Sequence, residues 1–222
     1  MTVLKKSAIL VFLVLLLDQA LKIWVKTNMY IGESSFKDWS WGMEWFQIYF
    51  TENPGMAFGW ALPGEQGKMF LSIFRIIAII VIGIYIYKLA SKKAHSGLIL
   101  SMSLILAGAI GNIIDSMFYG IIFNHSGYTA NDVATAFSSE GGYASFLHGK
   151  VVDMLYFPLI NGNYPDWFPY IGGKDFQFFR PIFNIADSAI TIGVSIILVF
   201  QKRFFAITEE KNSETQEVTA SV

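Results

Sequence analysis

Residues 97–115 read GLILSMSLILAGAIGNIID. A run this apolar is long enough to cross a bilayer, which takes about 20 mostly apolar residues, and we place the span at 97–117. Yet the run closes on an amide, Asn112, and an acid, Asp115. An ionisable group inside a membrane segment is expensive and is a functional-site signal by default. The same signature returns in Asn184–Ile185–Ala186–Asp187. A spacing of three puts amide and acid on one helix face. Gly108 shares the face of Asn112, while Ala107 and Gly111 form a small-residue pair that lets another helix approach closely.

Three further apolar stretches, at 7–25, 69–89 and 182–201, bring the count to four spans. The chain of 222 residues is 54% hydrophobic, above the roughly 45–50% of soluble domains, and its mean hydropathy is +0.47. The expected fold is an all-α membrane protein of four transmembrane helices, with a small extracytoplasmic β-rich region and interfacial loops. One membrane-embedded domain covers 1–207, and a polar, aromatic-free tail over 208–222 reads as disordered and cytoplasmic. A net charge of −1 argues against a nucleic-acid partner. The absence of cysteine excludes disulfides, thiol nucleophiles and cysteine-based metal sites. With only His95, His125 and His148 besides, no zinc site or other cofactor is expected.

Lys5 and Lys6 before an apolar run resemble a secretory signal, but Asp18–Gln19–Ala20–Leu21–Lys22 follows where a small-residue cleavage site would stand. The segment reads as an uncleaved first helix. Lys88, Lys92 and Lys93 fill the short middle loop, and Lys202 and Arg203 follow the last helix. The positive-inside rule then places both termini and that loop in the cytoplasm. The long loops, about 26–68 and 118–181, face the other side. The first holds Trp39, Trp41, Trp45, Phe46, Tyr49 and Phe50, an interfacial set in contact with membrane lipids, with a strand over Glu44–Thr51 and a turn at Asn53–Pro54–Gly55. The second reads as strand through Phe146–Phe157 and as an interfacial loop over Asn161–Gly173.

This topology gives the polar groups a common depth. Asp18, Lys22, Arg75, Asn112, Asp115, Asn184 and Asp187 all fall within about 10 Å of the outer hydrocarbon boundary at 1.5 Å per residue. Asp18 and Lys22, four apart with the acid first, read as a structural ion pair. Arg75 can snorkel, the asparagines can join helices, and Asp115 can cap its own helix end. Asp187 has no cation within one helical turn and needs a partner from elsewhere. Asp153, after Val151 and Val152, lies in a loop returning to the membrane. Two converging carboxylates fit general acid/base hydrolysis. Intramembrane acids equally fit a proton relay or transporter, although no polar track leads to the cytoplasm. Ser116 or Ser188 with Lys22 or Lys150 gives a Ser/Lys hydrolase, which neighbouring acids disfavour by keeping lysine protonated. A non-enzymatic scaffold is the remaining alternative.

Five ordered blocks carry a resemblance. They are Asp18–Gln19–Ala20–Leu21–Lys22, Asn53–Pro54–Gly55–Met56–Ala57–Phe58, Gly108–Ala109–Ile110–Gly111–Asn112–Ile113–Ile114–Asp115, Val151–Val152–Asp153 and Phe183–Asn184–Ile185–Ala186–Asp187–Ser188–Ala189–Ile190. Taken together, the chain resembles the bacterial lipoprotein signal peptidases (signal peptidase II), which are membrane aspartyl proteases. The resemblance implies an endopeptidase of the cytoplasmic (inner) membrane, with its active site near the extracytoplasmic face. It would cleave diacylglyceryl-modified prolipoproteins just before the lipidated cysteine. It also implies sensitivity to globomycin-type cyclic peptides. By position, Asp153 and Asp187 match the catalytic dyad. Asn53, Gly55, Asn112, Asp115, Asn184 and Ala186 match residues that line the site, and Asp18 and Lys22 match a structural motif. Two departures stand out. Ser116 occupies the position of a family arginine, for which Arg75 or Arg180 is the candidate replacement, and Phe118–Lys150 lengthens the segment before the catalytic valines.

Overall fold

The computed structural model describes residues 1–35, 45–54, 64–178 and 180–220. Trp39, Trp41, Glu44 and Gly55 lie outside the described residues. Among the described residues, four helices are long and apolar enough to cross a membrane, as expected: Val3–Asn28, Gln66–Ser91, Ser96–Ile122 and Ile185–Phe205. Each departs a little from its apolar run, because backbone hydrogen bonding carries a helix past the point where side chains turn polar.

The chain forms two compact units. The first comprises Met1–Gln19, Pro63–Ile114 and Ile185–Val222. It contains most of α1 (Val3–Asn28), with α2 (Gly64–Ser91), α3 (Ser96–Ile114) and α5 (Ile185–Ala220). On α2, Phe70, Phe74, Ile77, Val81 and Ile84 are exposed, as side chains facing lipid would be. The small residues of α3 do what their spacing predicts. A Cβ on Gly108 would stand 2.2 Å from the Ala186 carbonyl oxygen, and one on Gly111 would stand 2.9 Å from the Ala186 Cβ. Only glycine lets the start of α5 come that close. The last helix runs to Ala220, through the stretch that begins at Thr208. That stretch contains neither glycine nor proline, so nothing in it interrupts a helix already under way.

The second unit comprises Ala20–Leu62 and Asp115–Asn184. Here α3 runs into a π turn, Asp115–Tyr119, and a last helical turn, α4 (Gly120–Ile122). The wider turn leaves the Ser116 carbonyl to accept the Gly149 amide at 2.8 Å. A four-stranded antiparallel sheet follows the order β1 (Ser34–Ser35), β2 (Gln47–Asn53), β3 (Val151–Tyr156), β6 (Ile182–Phe183). Its core gathers Val25, Met29, Phe50, Tyr119, Phe123, Val152 and Met154. The strand expected over Phe146–Phe157 is confined to β3, since Leu147 has a left-handed φ of 68° and the His148 amide closes a turn onto Ser145. Asn161–Gly173, expected as a loop, begins inside a hairpin. Its strands β4 (Ile160–Asn163) and β5 (Asp175–Phe178) pair antiparallel from Ile160↔Phe178 to Asn163↔Asp175.

Candidate active site

Asp153 projects from β3, a strand whose first four residues are all buried. Both oxygens of its carboxylate receive amide donors. Asn184 Nδ2 donates to Oδ1 at 2.6 Å, and Asn53 Nδ2 donates to Oδ2 at 3.2 Å. Asn53 sits at the end of β2, where it pairs with Val151, so Asp153 is its diagonal neighbour on the same sheet face. Asn184 also donates to the Val152 carbonyl at 3.3 Å, and the Val152 amide donates to Asp115 Oδ2 at 3.2 Å. Val152, the residue before the acid, is thus held through both its amide and its carbonyl.

Asp187 lies in the first turn of α5. Asn112 Nδ2 of α3 donates to its Oδ1 at 2.7 Å, a partner from outside its own helix. The two candidate catalytic acids therefore share one device: a neutral amide from a different element orients each carboxylate without cancelling its charge. Asp115 is held differently. It is fully buried and forms an ion pair with Lys22 at 2.9 Å. Asp18 Oδ1 accepts the Ala186 amide at 2.9 Å, and its Oδ2 accepts from the Gln19 amide group at 3.1 Å. The spacing that put Asp18 and Lys22 on one face leaves each with partners beyond α1.

The structure thus groups Asn53, Asp153 and Asn184, pairs Asn112 with Asp187, pairs Lys22 with Asp115, and joins Asp18 to Ala186. A fifth cluster was not foreseen. Glu52 is buried and takes Lys26 Nζ and Ser126 Oγ on Oε1 at 2.5 and 3.2 Å, and Lys150 Nζ on Oε2 at 2.8 Å. Tyr143 lies beneath both lysines, 4.9 Å from Lys26 Nζ and 5.5 Å from Lys150 Nζ. Burial opposes the charged form of Glu52, but Lys26 and then Lys150 outweigh it and hold the carboxyl below its ordinary range. Burial pushes the Tyr143 phenol up, against the hydrogen bond from the Lys150 amide. The local sequence carried little signal for this cluster beyond the place of Glu52 two residues after the buried Phe50 on β2. Among the described residues, no three histidine, aspartate or glutamate side chains gather as metal ligands would.

Comparison with known proteins gives this arrangement a family. A family model for signal peptidase (SPase) II matches residues 10–203. A lipoprotein signal peptidase of Porphyromonas gingivalis is 51% identical over 203 residues, covering 90% of this chain and 84% of that one. One from Amoebophilus asiaticus is 40% identical over 211 residues, covering 94% and 82%. A bacterial membrane enzyme solved by the in meso method at 2.3 Å superposes with a TM-score of 0.56 at 25% identity, covering 90% of this chain and 88% of that one. A second, solved by the same method at 1.9 Å, gives 0.53 at 27% identity, covering 88% and 91%. The chain belongs to the signal peptidase II family of peptidases.

Proposed function

We propose that the protein removes the signal peptide from diacylglyceryl-modified prolipoproteins, cutting just before the lipidated cysteine, with Asp153 and Asp187 as the catalytic dyad. The observation that carries this reading is the matched treatment of the two acids by asparagine donors, Asn184 and Asn53 on one and Asn112 on the other. The names borne by the relatives support the substrate class.

In this mechanism one carboxylate is ionised and its partner carries a proton. The ionised acid takes a proton from water as the water oxygen attacks the scissile carbonyl, and the protonated acid donates to the carbonyl oxygen. Collapse of the tetrahedral intermediate breaks the C–N bond while a proton passes to the leaving amine. The products are a signal peptide with a new carboxylate and a lipoprotein with a free amino group on its cysteine. Asn53, Asn112 and Asn184 orient the acids. Asp115, with Lys22, secures the backbone of β3, and Ala186 lies beside Gly108 and Gly111 at the start of α5. We place the enzyme in the bacterial cytoplasmic membrane, with both termini inside and the dyad near the extracytoplasmic face. Globomycin-type cyclic peptides should inhibit it.

The test is a lipid comparison. Purified protein is offered one prolipoprotein with and without its diacylglyceryl group, and cleavage is scored by gel shift. Cleavage should require the lipid, because acyl chains hold the substrate at the depth of the site by about 0.8 kcal/mol per buried methylene. Equal turnover of both forms would rule out this substrate class.

A further inference from the structure

The Glu52 cluster has no part in the chemistry above, yet it gathers two ammonium groups on one buried carboxylate of the sheet-bearing unit. Burying Lys26 and Glu52 is unfavourable unless their geometry is well satisfied, and a buried ionic group is best attested as a device that sets register. β2 has a specific need for one. Its pairing with β3 shifts between Ile48 and Thr51, so the register of Gln47 and Ile48 does not dictate that of Thr51, Glu52 and Asn53. Beyond that irregularity the pairs are Thr51↔Asp153, Glu52↔Val152 and Asn53↔Val151. A slip of one residue would turn Asn53 to the opposite face and away from Asp153.

Glu52 and Asn53 point to opposite faces of this ribbon, and each makes a diagonal contact. Asn53 reaches Asp153 on one face at 3.2 Å, and Glu52 reaches Lys150 on the other at 2.8 Å. Lys26 ties the same glutamate to α1, and Ser126 adds a hydroxyl to the same oxygen. Tyr143 accepts the Lys150 amide at 2.7 Å, so the backbone just before β3 is fixed as well. Ser126, Tyr143 and Lys150 all come from Phe118–Lys150, the stretch that lengthens this chain before its catalytic valines.

We propose that Glu52 is a positioning residue for Asp153, pinning β2 to β3 in the register that sets Asn53 on the acid, and that the Phe118–Lys150 segment completes this pin. The proposal rests on Asp153 being catalytic. Its test is a double-mutant cycle on cleavage of a diacylglyceryl lipopeptide, with melting temperatures measured alongside. Lys150→Met removes a side chain that is 31% exposed and leaves the Lys26–Glu52 pair intact, so it reports even where Glu52→Gln fails to fold. Lys150→Met should lower kcat about tenfold or more, with KM held within about twofold. Lys150→Arg should restore most of kcat. In an Asn53→Ala background the same change should cost less than about threefold, because the route through Asn53 is already broken. Additive losses, or an unchanged kcat in Lys150→Met, would overturn the proposal. Asp153→Asn is assayed in parallel: if it stays active, the dyad is wrong, whereas an inactive Asp153→Asn beside an unaffected Lys150→Met defeats the pin alone.

Discussion

Asp115 and Asp153 lie in the same unit, are both buried, and stand close to Val152, whose amide Asp115 accepts. Asp115 meets the ammonium of Lys22, while Asp153 meets the side-chain amides of Asn53 and Asn184. The contrast separates two uses of a buried carboxylate. An ion pair in low dielectric fixes structure, because neither charge can leave without exposing the other. An amide donor fixes orientation and leaves the negative charge available to take a proton. Asp187, held by Asn112, falls on the second side of this division.

The largest effect that could break the comparison comes from the acids themselves. Asp153→Asn and Asp187→Asn should each lower cleavage by about 10³-fold or more while the protein remains folded, since asparagine keeps the shape but cannot exchange the proton. The double mutant should be scarcely worse than either single, because the residues act as a unit. Near-normal turnover by either variant, measured at matched protein levels, would restore the proton-relay reading.

Substituting the holders sharpens the division. Lys22→Met leaves Asp115 charged and unpaired by its lysine, which should destabilise the fold by about 3–5 kcal/mol. Its signature is a loss of folded protein in the membrane. Asn184→Ala should instead preserve most of the folded protein and lower kcat by about 10- to 100-fold through misplacement of Asp153. A chemical-denaturation series run beside single-turnover kinetics distinguishes the two, and a result in which both variants lose stability but not kcat would collapse the distinction. The smallest effect belongs to Asp18→Ala. It removes the acceptor for the Ala186 amide and should cost about 0.5–2 kcal/mol, the range of a lost helix cap. A melting temperature equal to wild type would show that the bond at Ala186 contributes nothing.

Much of this was legible because lipid imposes a simple rule: apolar runs must be helices, so polar residues within them stand out. Asn112, Asp115, Asn184 and Asp187 were visible for that reason, and the glycines of α3 declared a close approach. What periodicity cannot convey is who meets whom across long sequence separations. Lys22 and Asp18 satisfy a local spacing rule, which carries no sign that Lys22 also bonds Asp115 and Asp18 also accepts the Ala186 amide. The Lys26–Glu52–Lys150 cluster joins three distant segments, none of which marks itself as ionic. The β4–β5 hairpin escaped notice because its strands are short and separated by a long connection, Tyr164–Lys174, rather than a tight turn with a recognisable signature.

The bond from Ala186 to Asp18 has a consequence for how the molecule is made. Asn184 occupies the position just before α5, and its side-chain amide group donates to Asp153 and the Val152 carbonyl. The acceptor that serves the Ala186 amide comes from α1, 168 residues earlier in the chain. During synthesis α1 leaves the ribosome first and α5 last. The Ala186 amide at the start of α5 therefore emerges before this bond can form with anything nearby in sequence. It waits for a partner made 168 residues earlier, which makes consolidation of the Asp187 turn a late event in biogenesis.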